Sequence, residues 1–487
     1  MNTAAVITFV LYLCALIAFG IIFYRFSETL SDYILGGRKL RSGVAALSAG
    51  ASDMSGWLLL GLPGAVYAAG LNQIWIAIGL SIGAFLNWQY VAARLRTLTE
   101  KTGNAITLPD YLEQRFEDRT RVLRIVTATV ILVFFALYTA SGLVAGAKLF
   151  ESSFGWGYET ALLAGATVIV VYTFLGGFMA VSWTDFFQGI LMFLALITAP
   201  IMLVFFFENW ETLVAGVAEV DAAFLNVYHE MTLIGILSLL AWGLGYFGQP
   251  HILARFMAID SPASVPKAQM IGIGWMVFAL FGAVFVGFTG IAYFADSPLP
   301  DPEFVFLVMV QELFSPWLAG ILLAAILSAV MSTVDSQLLV CSSAIAEDFY
   351  KGLLRPAAKH RELVWIGRLS VVAVALVALV IAWNPEAMVL ELVAWAWAGF
   401  GASFGPVILF SLFWKRMTLQ GALAGIITGA VTVLAWHYLE GGWFDLYEIL
   451  PGFVLSSAAI YVFSINTKAP SEAVKGWLDM APISRRS

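Results

Sequence analysis

The sequence has little charge for its length. Only 12% of its 487 residues are Asp, Glu, Lys or Arg, whereas 61% are hydrophobic, and the mean hydropathy is +0.89. Soluble domains carry about 25% charged residues, so the composition excludes an ordinary soluble globular protein. Hydrophobic runs of about 20 residues, each long enough to cross a bilayer, account for the excess. We therefore predict an all-α membrane protein.

Cysteine and histidine are also scarce. Cys14 and Cys341 both fall in apolar runs, and the chain has four histidines. Two isolated cysteines give neither a disulfide framework nor a metal-binding spacing. The apolar runs contain no credible Ser–His pair or metal-ligand set for catalysis, so we do not expect an enzyme.

The sequence has no long polar segment that could form a second domain. Residues 467–487 form a short polar tail, too short for a kinase, nucleotide-binding or receiver domain. No basic region precedes the first apolar run, so we expect residues 5–25 to be a membrane span and not a cleaved signal peptide.

Apolar runs bounded by Gly, Pro, Asn or charged residues predict thirteen spans. Their approximate limits are 5–25, 43–69, 72–93, 125–149, 158–176, 180–207, 232–250, 268–294, 317–346, 364–383, 388–413, 419–438 and 446–465. An odd number of spans places the termini on opposite sides. With the N-terminus outside, the cytoplasmic segments and their flanks contain every Lys and Arg of the 25 except Lys148. The positive-inside rule therefore predicts an outer N-terminus and a cytoplasmic C-terminus.

Two of the predicted spans are rich in residues that weaken a membrane helix. The second span is rich in Gly, Ala and Ser over 48–56 and contains Asp53 at its middle. The seventh contains Gly243, Gly245, Gly248 and Pro250. An acid at mid-depth costs about 2.5–3.5 kcal/mol, and backbone carbonyls freed by an open helix need a partner such as a cation.

The two weak helices lie five spans apart. Secondary transporters built from inverted repeats carry interrupted helices at corresponding positions of the two halves. We therefore expect residues 43–207 to form the first repeat and 232–413 the second, within one transporter domain over residues 1–466. Residues 5–25 and 419–465 would then be additional helices.

The ninth span contains a hydroxyl pattern that suits a cation. Ala329, Ser332 and Thr333 lie at i, i+3 and i+4, on one helix face. With the carbonyls of Ala51 and Met54 they supply five hard oxygen ligands, appropriate for sodium. Helical Ser and Thr hydroxyls also bond back to the preceding turn, and the spacing alone leaves both interpretations open.

Two further acids lie close to the cytoplasmic side of the predicted core. Asp185 lies near the start of the sixth span. It either pairs with a base such as Arg38 or serves as an inner waypoint for a cation, and both interpretations remain open. We expect Asp335, two residues after Thr333, to orient the inner exit.

Several long motifs resemble the sodium/solute symporter family, and the similarity covers nearly the whole chain. They include DYILGGRKL (32–40), ALSAGASDMSGWLLLGLPGAV (46–66), TLPDYLEQRFED (107–118), AVMST (329–333) and SQLLVCSSAIAED (336–348). The resemblance implies a leucine-transporter-like core of 5+5 inverted repeats, with one additional helix before it and two after it. It also implies sodium as the coupled ion, bound by the five residues named above, with Asp53 acting indirectly.

Within this family the motifs are most similar to members that carry proline. The family pattern then implies a solute site formed by Ser55, Trp57, Tyr138, Trp242, Tyr246 and Pro250. Such aromatic rings could enclose the apolar ring of proline and face its ammonium group. Without the family pattern, the same aromatics fit ordinary packing or interfacial anchoring.

The resemblance therefore implies sodium-coupled uptake of L-proline by alternating access, with one sodium per proline, in the bacterial inner (plasma) membrane. No nucleic acid and no obligate protein partner are expected. One alternative is the same symport mechanism with another small solute, such as pantothenate or a monocarboxylate. A second is a sensor that keeps the transporter fold, against which the short tail argues.

Overall fold

The backbone is helical almost throughout. The computed structural model describes residues 3–24, 30–175, 177–384 and 388–480. Within these ranges the one β-type pairing is an isolated bridge between Leu40 and Ile259. Nine helices in the described ranges are long and apolar enough to cross a membrane, and one bent pair makes a tenth. The prediction of an all-α membrane protein is confirmed.

Twenty helices, short surface helices included, build the described structure. In chain order they are α1 (Thr3–Tyr24), α2 (Leu30–Leu35), α3 (Ser42–Asp53), α4 (Trp57–Ala69), α5 (Leu71–Lys101), α6 (Leu108–Arg115), α7 (Val122–Phe154), α8 (Tyr158–Leu175), α9 (Phe178–Phe206), α10 (Trp210–Asp221), α11 (Leu233–Gly248), α12 (Pro250–Ala258), α13 (Pro262–Tyr293), α14 (Val305–Leu313), α15 (Pro316–Leu354), α16 (His360–Ile381), α17 (Val389–Phe413), α18 (Leu419–Trp436), α19 (Ile449–Asn466) and α20 (Glu472–Trp477).

Each of the thirteen predicted spans coincides with a helix or with a broken pair of helices. Residue 25 of the predicted first span, residue 176 of the fifth, residues 385–387 of the second repeat and residues 481–487 of the tail lie outside the described residues. The largest differences are extensions beyond the predicted C-terminal ends of spans. The seventh span continues through α12 to Ala258, and the ninth through a wide π-type turn to Leu354.

The second predicted span is interrupted at 54–56. Helix α3 ends at Asp53, and Met54 leaves helical geometry at φ −79° and ψ 75°. The N–H of Ser55 bonds to the carbonyl of Asp53 at 2.9 Å, which closes a tight turn before α4 begins. The small residues of this stretch allow the break, as the sequence predicts.

The seventh predicted span is also interrupted. Residues Ala241–Gly248 at the end of α11 wind as a 3₁₀ helix, and Pro250 begins α12 after a bend of 45°. A proline at this point lacks the N–H that a continuous helix would need. The second half of this broken span, α12, is fully helical to Ala258.

Close backbone contacts hold the second interrupted helix against α5. Gly83 faces the backbone of Gly243 so closely that a Cβ on Gly83 would lie 2.0 Å from the Gly243 carbonyl oxygen. Such contacts are the usual role of glycine between membrane helices. The 3₁₀ segment therefore has little freedom on this side.

Helix α15 lies at the centre of the bundle. Every residue from 322 to 339 is buried, and the helix packs against α1, α3, α7, α9 and α16. It carries the AVMST motif past the break between α3 and α4. The fold thus brings the proposed hydroxyl ligands to the interrupted helix.

The polar segment 104–120 is not a freely exposed surface helix. Helix α6 begins at Leu108, where the Thr107 hydroxyl accepts from the N–H of Asp110 at 3.1 Å. The side chain of Arg115, at the end of α6, is fully buried and donates to the carbonyl of Ser411 at 3.0 Å. The helix is therefore docked against the bundle, in contact with α17.

Candidate ion and solute site

The end of α3 presents the carbonyl of Asp53 to three donors. The Trp57 indole N–H donates at 3.1 Å, the Tyr138 hydroxyl at 3.2 Å and the Ser55 N–H at 2.9 Å. All four residues are buried. A helix end leaves carbonyls without intrahelical partners, and here aromatic side chains from the predicted solute set supply them.

The carboxylate of Asp53 joins the two interrupted helices. Its Oδ2 accepts a short hydrogen bond from the hydroxyl of Tyr246, on the 3₁₀ segment of α11. Its Oδ1 is buried and has no hydrogen-bond partner among the described residues. A cavity of about 20 Å³ borders Asp53, Tyr246 and Met276, a volume that holds roughly one water molecule.

Four of the five predicted sodium ligands contact one another. The Ser332 hydroxyl donates to the Ala51 carbonyl at 2.8 Å, and Thr333 donates to the same oxygen at 3.4 Å. Ser332 also lies 3.2 Å from the carbonyl of Ala329 on its own helix. Met54, the fifth, is the first non-helical residue after α3. Ser332 therefore bonds back to its own helix, as one sequence interpretation has it, and also bonds to α3, which brings it to the predicted ion ligands.

Aromatic rings from several helices surround the two interruptions. The rings of Trp57 and Trp242 lie 6.2 Å apart, and Tyr246 meets Trp397 edge-on at 5.1 Å. The Ser55 hydroxyl accepts from the N–H of Trp57 at 3.4 Å. Five of the six predicted solute residues, Ser55, Trp57, Tyr138, Trp242 and Tyr246, thus lie in one connected set with Asp53.

The sixth, Pro250, faces a different space. It begins α12 and lines a cavity of about 20 Å³ together with Ile34, Phe178, Thr107 and other residues. Its clear structural role is to end the 3₁₀ segment and start α12.

Asp185 forms a buried ion pair with Arg255. The guanidinium lies 3.1 Å from the Asp185 carboxylate, and both side chains are fully buried. Ser48 on α3 donates to Asp185 at 2.7 Å and accepts from Arg255 at 3.0 Å. Arg255 also donates to Ser336, next to Asp335. The network joins α3, α9, α12 and α15.

Asp185 pairs with a base, as one of its two interpretations predicts, but the base is Arg255 and not Arg38. Arg38 instead donates to the carbonyls of Met257 at 2.6 Å and Ala105 at 2.7 Å. Its loop therefore ties the end of α12 to the segment before α6. Burial, together with the nearby Arg96, lowers the pKa of Arg38 to about 10, so it remains a cation at neutral pH.

Sequence reasoning missed three residues of this region. Arg255 gave a readable signal, since it is a lone base in the apolar segment Pro250–Ala258. Asn87 and Trp397 gave none. Asn87 donates to the Tyr246 carbonyl at 2.8 Å, and Trp397 donates to the Trp242 carbonyl at 2.7 Å. These two side chains satisfy carbonyls of the 3₁₀ segment.

Solved structures with the same fold are sodium-coupled or related transporters. A Na⁺-coupled sialic acid symporter in a substrate-bound outward-open state aligns with a TM-score of 0.82, over 97% of this chain and 99% of that one, at 18% identity. MhsT in complex with L-phenylalanine aligns with a TM-score of 0.53, over 87% and 98%, at 13% identity. The architecture is thus that of leucine-transporter-like transporters.

Sequence comparison gives much closer relatives. The sodium/proline symporter of Escherichia coli (strain K12) is 55% identical over 480 residues, which is 97% of this chain and 95% of that protein. The high-affinity proline transporter of Bacillus subtilis (strain 168) is 53% identical over 458 residues, 93% and 96% of the two chains. The model of the sodium:solute symporter family matches residues 33–429. The protein therefore belongs to the sodium:solute symporter family.

Proposed function

We propose that the protein takes up L-proline together with sodium by alternating access. The observation that carries this proposal is the hydrogen bond between Asp53 and Tyr246, because it joins the two interrupted helices. Asp53 thereby connects the hydroxyl pair of α15, Ser332 and Thr333, with the aromatic set. One site therefore serves the ion and the solute. The relatives above half identical are named sodium/proline symporters or a proline transporter, and no observation favours pantothenate, a monocarboxylate or a sensor.

We propose that sodium is held by the carbonyls of Ala51, Met54 and Ala329 and the hydroxyls of Ser332 and Thr333. These hydroxyls donate to carbonyls of the same set, so these oxygens lie close together. Sodium would turn the same oxygens towards itself, so it would replace hydrogen bonds that already draw α3 and α15 together. Asp53 contributes negative charge from the adjacent position without being a ligand.

Proline binds beside this ion in the same proposal. Ser55, Trp57, Tyr138, Trp242 and Tyr246 surround it, with indole and phenol faces against the apolar ring and the ammonium group. The donors at the start of α4 favour its carboxylate, since helix N-termini stabilise anions. Pro250 acts on this region through the backbone, because it ends the 3₁₀ segment and starts α12.

The arrangement of the chain follows from the charge pattern and the helix order. We propose thirteen spans with the N-terminus outside, repeats over 43–207 and 232–413, additional helices over 5–25 and 419–465, and a cytoplasmic tail over 467–487. The location is the bacterial inner membrane. Lys148, the one base on the proposed outer side, is neutralised by Asp301 and Glu303 at 2.8 and 2.7 Å, which is consistent with this orientation.

One sodium per proline supplies enough free energy for uptake. A charge that crosses 100 mV releases about 2.3 kcal/mol, and a tenfold sodium gradient adds about 1.4 kcal/mol. Together they support an accumulation of roughly several hundredfold. A larger stoichiometry is not needed.

The decisive experiment is uptake into proteoliposomes that contain the purified protein. Labelled proline should enter only with an inward sodium gradient, and more strongly with an inside-negative potential. Labelled pantothenate, a monocarboxylate and a sugar provide the comparison, and empty liposomes the control. Sodium-independent uptake, or uptake of another of these solutes in preference to proline, would contradict the proposal.

The ion site has its own test. Ser332→Ala and Thr333→Ala should both raise the sodium concentration for half-maximal proline uptake, and Ser332→Ala more strongly because its bond to Ala51 is shorter. Ser328→Ala is the matched control, one turn earlier on α15, where the hydroxyl contacts Tyr12 and Ala324 instead. An unchanged sodium dependence in both site variants would remove these ligands from the proposal.

A further inference from the structure

Trp242 contacts two other aromatic rings. The ring of Trp57 lies 6.2 Å away at 39°, and that of Tyr447 is stacked at 5.4 Å and 27°. Tyr447 belongs to the segment just before α19, outside both proposed repeats. The additional C-terminal helices thus supply a third ring, that of Tyr447, to the aromatic pair of Trp57 and Trp242 in the proposed solute site.

Tyr447 is fixed at both ends. Its hydroxyl donates to the Ala394 carbonyl on α17 at 2.6 Å, and its backbone N–H donates to the Ser238 hydroxyl on α11 at 2.9 Å. Ala394 lies one turn before Trp397, whose indole holds the Trp242 carbonyl at 2.7 Å. These contacts form a closed circuit of residues. Tyr447 packs against the side chain of Trp242, and Trp397 binds the backbone of Trp242.

The aromatic residues in this part of the molecule differ sharply in their solvent exposure. Trp242 is only 5% exposed and Tyr447 is half-buried, whereas Tyr438 and Trp443 of the same connection are 75% and 74% exposed. Interfacial tyrosines normally direct the hydroxyl to headgroups or water. The Tyr447 hydroxyl is bound to a protein carbonyl instead, so its role is directed inwards.

We propose that Tyr447 is a positioning residue for solute recognition, which stacks on Trp242 and fixes the plane of its ring. This proposal rests on the proposed placement of proline beside Trp57 and Trp242. With Tyr447 in place, the indole cannot tilt towards the Tyr447 side, so the wall that Trp242 gives to the solute stays fixed. Loss of the ring would free Trp242 and loosen the discrimination against larger cyclic amino acids.

Kinetics of proteoliposome uptake test this proposal. Tyr447→Leu and Tyr447→Ala should raise the KM for proline roughly three- to tenfold, the range that one aromatic contact supports. The maximal rate and the sodium dependence at saturating proline should stay unchanged, because the ion site is not touched. Tyr447→Phe keeps the stacked ring and loses only the bond to Ala394, so its KM should lie between that of wild type and those of the Leu and Ala variants. Inhibition by the six-membered-ring analogue pipecolate should strengthen in the Leu and Ala variants.

Two further variants separate the causes. Trp443→Ala, in the same connection but exposed, should behave as wild type. Trp242→Ala tests the underlying solute site: if it leaves the KM for proline unchanged, both the solute site and the role of Tyr447 are wrong. If Trp242→Ala raises the KM but the Leu and Ala variants at Tyr447 do not, only the inference about Tyr447 is overturned.

Discussion

At the scale of single residues, Asp53 combines two roles that substitution can separate. Its charge lies next to the proposed ion ligands, and its Oδ2 accepts the hydroxyl of Tyr246. Asp53→Asn keeps an acceptor for Tyr246 and removes the charge, whereas Tyr246→Phe keeps the charge and removes the bond. The pair of variants therefore distinguishes an effect on sodium from an effect on the solute.

We expect Asp53→Asn to weaken sodium activation of uptake far more than it changes the amount of protein in the membrane. Tyr246→Phe should instead raise the KM for proline by about tenfold or more, the value of a hydrogen bond to a charged group. Initial rates over a sodium and proline concentration grid would show this split. Equal effects of the two variants on both substrates would contradict the separation of roles.

A second residue-scale prediction concerns the buried pair of Asp185 and Arg255. Removal of one member of a buried ion pair leaves an uncompensated charge and costs about 3–5 kcal/mol. Arg255→Met should therefore lower the thermal stability of the purified protein, and Asp185→Asn combined with Arg255→Met should recover much of it. Arg355→Met, at an exposed ion pair, is the control and should have little effect.

Recovery of stability without recovery of transport in the double variant would show that the pair also serves the transport cycle. If Arg255→Met were as stable as wild type, the burial of this pair would contribute nothing measurable. The double variant is informative only in comparison with each single variant, because the energies of contacting residues are not additive.

At the scale of elements, hydropathy predicts where helices lie but not how they pair. The positions of the spans and the two breaks follow from apolar runs and from glycine and proline. The partner of Asp185 does not, since Arg255 is 70 residues away in sequence and the contact depends on how α9 and α12 pack. The motif assigns Pro250 to the solute, which stays a prediction, and the structure adds that Pro250 lines a cavity at the start of α12.

The side-chain contacts between distant elements could not be predicted from the sequence either. The carbonyls of the 3₁₀ segment are satisfied by Asn87 and Trp397, which lie more than 150 residues away from their partners. The docking of α6 depends on Arg115 reaching α17. Sequence periodicity describes one helix at a time, so it carries no information about these contacts.

The element scale also offers a prediction for the start of α17. Glu303 is buried and pairs with Lys148 at 2.7 Å, and its two carboxylate oxygens accept the N–H groups of Val389 and Leu390 at 3.1 Å each. It therefore caps the first turn of α17 while it neutralises a base on α7. A carboxylate at a helix N-terminus is favourable both for its hydrogen bonds and for the helix dipole.

Glu303→Gln should consequently destabilise the protein more than Asp301→Asn, although both remove one negative charge near Lys148. The Asp301 side chain is 30% exposed and that of Glu303 only 1%, so solvent weakens the contribution of Asp301. Thermal unfolding of the two purified variants in the same detergent would measure the difference. Equal midpoints would mean that the cap on α17 has no energetic role.

At the scale of the whole molecule, the charge asymmetry makes a prediction about orientation that stability measurements cannot test. Thirteen spans with an outer N-terminus place Tyr438, in the connection before α19, outside, and Lys359, in the connection before α16, inside. Both connections carry exposed residues, so a cysteine introduced at either site should be accessible from its own side. The native Cys14 and Cys341 would first be replaced by serine or alanine.

A membrane-impermeant thiol reagent applied to intact cells should label Tyr438→Cys and leave Lys359→Cys unlabelled until the membrane is opened. The physical reason is the positive-inside rule, because the basic connections should remain on the cytoplasmic side. Permeabilised cells provide the control that both cysteines can react. If the two sites reacted from the same side in intact cells, the chain would cross the membrane an even number of times between Lys359 and Tyr438. The proposed arrangement has an odd number, with α16, α17 and α18 each crossing once, so the repeat boundaries would have to be redrawn.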